Sequence, residues 1–170
     1  MVLFLLFMGT AVSQSPLTNT SEYHVKAVFL YNFSHFVDWP ADAFESPYES
    51  FIIGVIGNDP FGEVLEATVE GERIGTHVIR IQRFNDLSEI RNCHILFIAE
   101  QDPNEIKRVI NFTLGKPILT VGETPNFIRW GGLIRFYTED NKIRLQINNT
   151  AAKSSRLKIS SKLLRVSQVS

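Results

Sequence analysis

The sequence predicts an α/β fold: a mostly parallel sheet flanked by helices on both faces, with an antiparallel C-terminal hairpin at one edge. Three observations predict it. Short apolar, β-branched runs at 51–57, 76–82, 94–99 and 117–122 alternate with helical patterns, which is the signature of a parallel sheet covered on both sides. Residues 23–40, YHVKAVFLYNFSHFVDWP, form an aromatic and nearly uncharged helical stretch. Two late strands, 133–137 and 142–148, flank the polar loop 138–141 and read as a hairpin.

The helix at 23–40 places Tyr23, Ala27, Leu30, Phe33 or Ser34, and Val37 on one face. Val25, Phe29 and Phe36 lie on the adjoining face, with Val28 between them. A surface helix needs an apolar stripe of roughly 100°. This one exceeds half its circumference, so it needs cover from its own sheet and from a second element, either the C-terminal helix or a second subunit. Asp38-Trp39-Pro40 ends it, because a proline pushes the residue before it out of the α region.

A polar loop follows at 41–50. The strand at 51–57 is continuous and apolar, as in a fully buried sheet. Asp59 and Pro60 are an N-cap and first-turn pair that start a short helix running to about Val69. Glu70-Gly71-Glu72 is a turn, and 76–82 alternates as a half-buried strand. A short helix at 86–91 precedes the buried strand 94–99. Residues 103–113 are amphipathic, with Ile106, Val109 and Ile110 inward, Gly115 as C-cap and Pro117 after it. Residues 125–130 form one helical turn, and Gly131-Gly132 break the chain before the hairpin. A basic helix from Ser155 or Ser160 to Val166 closes the fold.

At 170 residues, with 44% apolar and 21% charged content, the chain fits one domain with a sizeable core. The layout is a signal peptide at 1–13, a flexible N-terminus at 14–20 and a single α/β domain at 21–168. Residues 1–13, MVLFLLFMGTAVS, end in a small-x-small pattern suited to signal cleavage, and they fall short of the ~20 residues a membrane span needs. The usual basic start is missing, and a buried N-terminal strand is the other reading. Export, with a soluble mature chain from near Gln14, is the expectation. The net charge of −1 conceals a division. Residues 1–141 hold all 18 carboxylates and 10 basic residues, for −8, whereas 142–170 carry +7. The basic segment reads either as a solvated helix or as a contact for an acidic partner or anionic lipid.

No catalytic constellation emerges. Cys93-His94 pairs a thiol with an imidazole, but neighbours on a strand point to opposite faces, so a buried cysteine is the better reading. It is also the only cysteine, which excludes an internal disulfide. His24, His35, His77 and His94 lack metal-ligand spacing, and no metal or cofactor is expected. Basic patches interleaved with aromatics, the mark of nucleic-acid binding, are absent. Four glycosylation-type triplets start at Asn19, Asn32, Asn111 and Asn148; the one at Asn32 falls in the apolar helix and is accidental. Asn58, Asp59 and Phe61 follow the carboxyl end of a strand, where open α/β sheets bind ligands; a tight turn explains them equally well.

The blocks VKAVFLYNFSHFVDWP at 25–40, IGVIGNDPFG within 52–62, CHILFI at 93–98, LTVGETPNFIRWGGLIRFY at 119–137 and KIRLQINNTAAKSSRLKISSKLLRVS at 142–167 resemble, in order, the YfiR family of bacterial periplasmic proteins. The resemblance implies a homodimeric, non-catalytic regulator. Its partner is an inner-membrane sensor, a diguanylate cyclase or kinase, whose cyclic-di-GMP output and biofilm formation it lowers. An outer-membrane lipoprotein can sequester such regulators. Cys93 matches a family cysteine that is disulfide-bonded in some members; here only pairing between chains is open to it. The surfaces nominated for partner or dimer contact are Phe29, Phe36 and Trp39, the basic Lys158, Lys162 and Arg165, and Trp130 in the loop 126–132. The competing reading is a periplasmic small-molecule sensor or carrier, with its ligand near Asn58, Asp59 and Phe61 or under the aromatic helix. A thiol hydrolase at Cys93 is the third.

Overall fold

The computed structural model describes residues 19–170; the expected signal peptide and the start near Gln14 lie outside them. Helix α1 (Asn19–Phe36) leads into β1 (Val37–Asp38). After a 3₁₀ turn at Ala41–Ala43 come β2 (Phe51–Gly57), α2 (Val64–Val69), β3 (Arg73–Ile74), β4 (His77–Phe84), β5 (Ile95–Ala99), α3 (Pro103–Thr113) and β6 (Leu119–Gly122). The hairpin β7 (Ile134–Glu139) and β8 (Lys142–Ile147) precedes α4 (Asn149–Ser154), β9 (Lys158–Ile159), α5 (Ser161–Arg165) and β10 (Gln168–Val169).

The main sheet runs β10-β8-β7-β6-β5-β2-β4-β3. The pairs from β4 across β2, β5 and β6 to β7 are parallel, and β7–β8 is antiparallel, as expected. The two-residue β10 adds to β8 in parallel, outside the hairpin. One face carries α1, α2, α4 and α5, meeting at Leu30, Phe33, Leu65, Ala152 and Leu163 over Ile53, Phe97 and Phe136. The other carries α3 and the loop 125–131, with Ile106, Ile110 and Phe127 over Leu96 and Ile98. Among the described residues no helix is long and apolar enough to cross a membrane.

Four expectations need correction. Helix α1 stops at Phe36 rather than at the Asp38-Trp39-Pro40 boundary. Its next residues pair instead with β9, Val37 opposite Ile159 and Asp38 opposite Lys158, and Ser160 donates its N–H to Phe36 O. Asp59 does not cap α2, which starts at Val64. Its carboxylate accepts from Phe61 N–H at 2.8 Å and takes Arg83 on its other oxygen. The hairpin loop is two residues rather than four: Asp140 and Asn141 both have positive φ (50° and 58°) and Glu139 pairs with Lys142, the geometry that matches strand twist. The region 86–91 holds only a 3₁₀ turn at Leu87–Glu89, capped by Asp86. Helix α3 has the expected bounds, with Asp102 as N-cap and Pro103 in its first turn.

Candidate functional site

Strand order reverses at β2: β4 lies on one side and β5 on the other. The carboxyl ends of β2 and β5 therefore frame the crevice where such sheets hold ligands. Here the chain itself occupies much of that space. Phe61 is buried edge-on against Phe97 (centroids 4.9 Å apart) and Tyr23 (5.2 Å). Gly57 has φ +96°, and a Cβ there would lie 2.9 Å from the Ala99 carbonyl carbon. Asp59 is held by Arg83 Nε at 2.8 Å, and Asn58 is exposed. A cavity of about 270 Å³ remains between this loop and the start of α1, lined by Thr20, Tyr23, Pro60 and Phe61.

The second cover that α1 requires comes in part from α5. Ser160 caps α5 by accepting from Leu163 N–H, and buried Leu163 turns onto α1. Phe29, Asn32, Phe33 and Phe36 of α1 face Lys162, Leu163 and Val166 across a groove of about 220 Å³. Phe29 also packs on Phe136 of β7 at 5.8 Å. Val166 is 72% exposed, and Val25 and Val28 stay exposed on α1. The structure thus brings Phe29, Phe36 and Lys162 to one groove, with Arg165 exposed on the same short helix and Lys158 exposed on β9. Arg156, with φ +59°, ties this C-terminal segment to the 3₁₀ turn through both Asp42 oxygens at 2.7 and 2.9 Å.

Trp39 and Trp130 lie elsewhere. Trp39 packs edge-on against Phe51 at 4.9 Å, and its indole N–H is buried without a hydrogen-bond partner among the described residues. It borders a cavity of about 310 Å³ with His35, Asp38, Phe44, Phe51 and His77. Trp130 belongs to the opposite face of the sheet, where Lys107 Nζ sits 4.9 Å from its ring centroid. The loop that carries it is anchored by Phe127, whose ring fills the space beside Gly122 and Gly132. A Cβ at either glycine would come within 2.4 Å of that ring.

Cys93 is buried beside Gly54 and Phe84, and burial pushes its thiol up to about 12. Its Sγ–H donates to Ile95 O at 3.1 Å. That burial leaves it poorly placed for a bond between chains. Neighbouring His94 has a structural role. Its Nδ1 accepts from Ile52 N–H and its Nε2 bonds Ala43 O, both at 3.1 Å, so the proton resides on Nε2. Burial first, then the nearby His77, pushes His94 down to about 4, although its bond to Ala43 O opposes the shift.

Sequence reading missed Lys26. It is 2% exposed under α1, where its ammonium meets Glu22 and Glu123. Tyr23 Oη donates to the other Glu123 oxygen at 3.0 Å. Burial and these carboxylates hold the phenol well above its ordinary range. The Glu22–Lys26 pair, spaced i,i+4, carries a sequence signal, whereas Glu123, 97 residues from Lys26, carries none. Among the described residues no group of His, Cys, Asp and Glu has the arrangement of a metal site.

Aromatic helix, buried strand after Cys93, glycine-flanked loop and basic tail follow one another along the chain, and a family model described as YfiR/HmsC-like matches residues 23–168. The chain belongs to the YfiR/HmsC-like family. Comparison with curated proteins gives no significant match. Membership in the YfiR/HmsC-like family points to a periplasmic, regulatory and non-catalytic role in diguanylate cyclase pathways.

Proposed function

We propose that the chain is an exported, non-enzymatic regulator that binds the periplasmic sensor domain of an inner-membrane signalling protein. Through that contact it represses a diguanylate cyclase and lowers cyclic-di-GMP and biofilm formation. The observation that carries this reading is the family match across nearly the whole described chain. The fold supports it in two ways. The α1–α5 groove offers the rings of Phe29, Phe33 and Phe36, with Arg165 exposed on the same short helix, and aromatic and arginine side chains are enriched at protein interfaces. The +7 charge of the last 29 residues steers an acidic partner toward that end. The working form is a homodimer that an outer-membrane lipoprotein sequesters, and Trp39 and the loop around Trp130 are its further contact surfaces.

A second reading, a periplasmic small-molecule sensor, is favoured by the cavity at Trp39. The rings of Trp39, Phe44, Phe51 and His77 give it an aromatic wall suited to a flat ligand. A ligand bound there, or beside Asn58, Asp59 and Phe61, would tune partner affinity by differential binding.

The deciding experiment is capture from detergent-solubilised inner membrane, with the chain from Gln14 as bait. Recovery of a membrane sensor with a cyclase or kinase output supports the regulator. Recovery of nothing by a folded bait at physiological salt, together with a melting temperature raised by periplasmic small molecules, supports the sensor.

A further inference from the structure

At the end of the sheet far from the basic tail, β3 pairs only with His77 and Val78 of β4. Beyond them, as far as Phe84, β4 has β2 on one side and no strand on the other among the described residues. Ile79 N–H points to that open side, onto Glu72 O at 3.1 Å. Main-chain groups of alternate strand residues share a direction, so Ile81 and Arg83 present their N–H and C=O groups there too. An open edge of this kind is a template for another strand.

Beside the edge, α2 forms a groove of about 730 Å³ with β4. Ala67, Ile79 and Ile81 supply apolar surface, and Glu63, Glu66 and Glu70 line the helical side. Arg83 engages Glu66 and also donates to Gly62 O at 2.6 Å. Arg80 also lines the groove, with its Nε donating to Ser50 Oγ at 3.0 Å. Glu63 and Glu70 make no ion pair among the described residues.

We propose that this edge docks an extended, basic segment of a partner protein as an added β-strand. Main-chain bonds to Ile81 and Arg83 supply affinity, alternate apolar side chains enter the groove, and Lys or Arg side chains meet Glu63 and Glu70. The charge rules against a second copy, because a two-fold pairing of β4 edges would bring two rows of α2 carboxylates together. The site stands apart from the basic end, so one molecule can hold two unlike partners at once.

The test titrates the chain from Gln14 with a synthetic nonapeptide of alternating lysine and valine. Its companions are a glutamate–valine peptide and a lysine–valine peptide N-methylated along each edge in turn. The proposal expects binding of the first peptide with slowed amide exchange at Ile81 and Arg83. It expects at least a tenfold loss, about 1.4 kcal/mol, in Glu63→Lys/Glu70→Lys and for one N-methylated form. No binding up to about 1 mM, equal binding of both N-methylated forms, or unchanged affinity in the double variant overturns it. Protection of the same amides by self-association without peptide assigns the edge to a second copy and also overturns it.

Discussion

His94 has no exposed surface, packs on the rings of Phe44 and Phe51 at 4.4 and 4.7 Å, and is bonded to main chain through both nitrogens. Its pKa falls from 6.5 to about 4 on folding. Between those values the unfolded chain binds a proton that the folded chain refuses. The contribution is therefore complete above about pH 6.5 and is lost as pH falls toward 4, up to about 3 kcal/mol. Urea unfolding at pH 7 and at pH 4.5 measures it; His94→Gln should start less stable yet lose less over the interval. An identical loss in the variant would place the acid sensitivity elsewhere. Gly54 makes a steric prediction. A Cβ there would lie 2.4 Å from Phe84 Cε2 and 2.9 Å from Cys93 Sγ. Gly54→Ala should cost about 1–3 kcal/mol in thermal unfolding, and Phe84→Leu in the same chain should recover part of it. Cys93 was readable as a buried thiol beside an apolar strand, although it and His94 precede β5 rather than lying in it. Burial of Lys26 was not, since its ion partner Glu123, just past β6, meets it only in the folded chain.

Elements that carry their own signals were legible. Helix α3 announces its cap, its first-turn proline and its inner stripe locally, so its limits came out of the pattern. The end of α1 did not, because β1–β9 pairing is a tertiary event between segments more than a hundred residues apart. Helix α4 and strand β9 went unread for another reason: six- and two-residue elements are too short to show a period. Helix α5 was anticipated as a basic helix, and the structure separates its two roles. Leu163 faces α1 and is 5% exposed, whereas Lys162 and Arg165 are exposed. Leu163→Ala should destabilise by about 2–4 kcal/mol. Lys162→Glu with Arg165→Glu should stay within about 0.5 kcal/mol, both read by denaturant titration. Equal costs would mean that the basic side chains also hold α5 in place.

The basic tail and the α2 carboxylates sit toward opposite ends of the sheet, with Glu139 and Asp140 in the β7–β8 hairpin and Arg73, Arg80 and Arg83 on β3 and β4. The β7–β8 end, with α4 and α5, gathers the positive tail, while α2 at the β4 end presents Glu63, Glu66 and Glu70. The +7 of the last 29 residues was visible in the sequence; its separation from the α2 carboxylates across the sheet needed the strand order, which no local pattern specifies. Surface charge of this kind governs encounter more than folding. Lys158→Glu/Lys162→Glu/Arg165→Glu should therefore weaken capture of the membrane partner, most at low salt, and leave the melting temperature nearly unchanged. Unaltered capture would remove the basic end from the interface.

The central claim is restraint of a cyclase, and cellular cyclic-di-GMP reads it most directly. The comparison is a strain lacking the chain, complemented with the wild type or with the triple charge-reversal variant at matched periplasmic levels. The account predicts that cyclic-di-GMP rises on deletion, returns with the wild type and stays high with the variant. A level indifferent to the presence of the chain would contradict it.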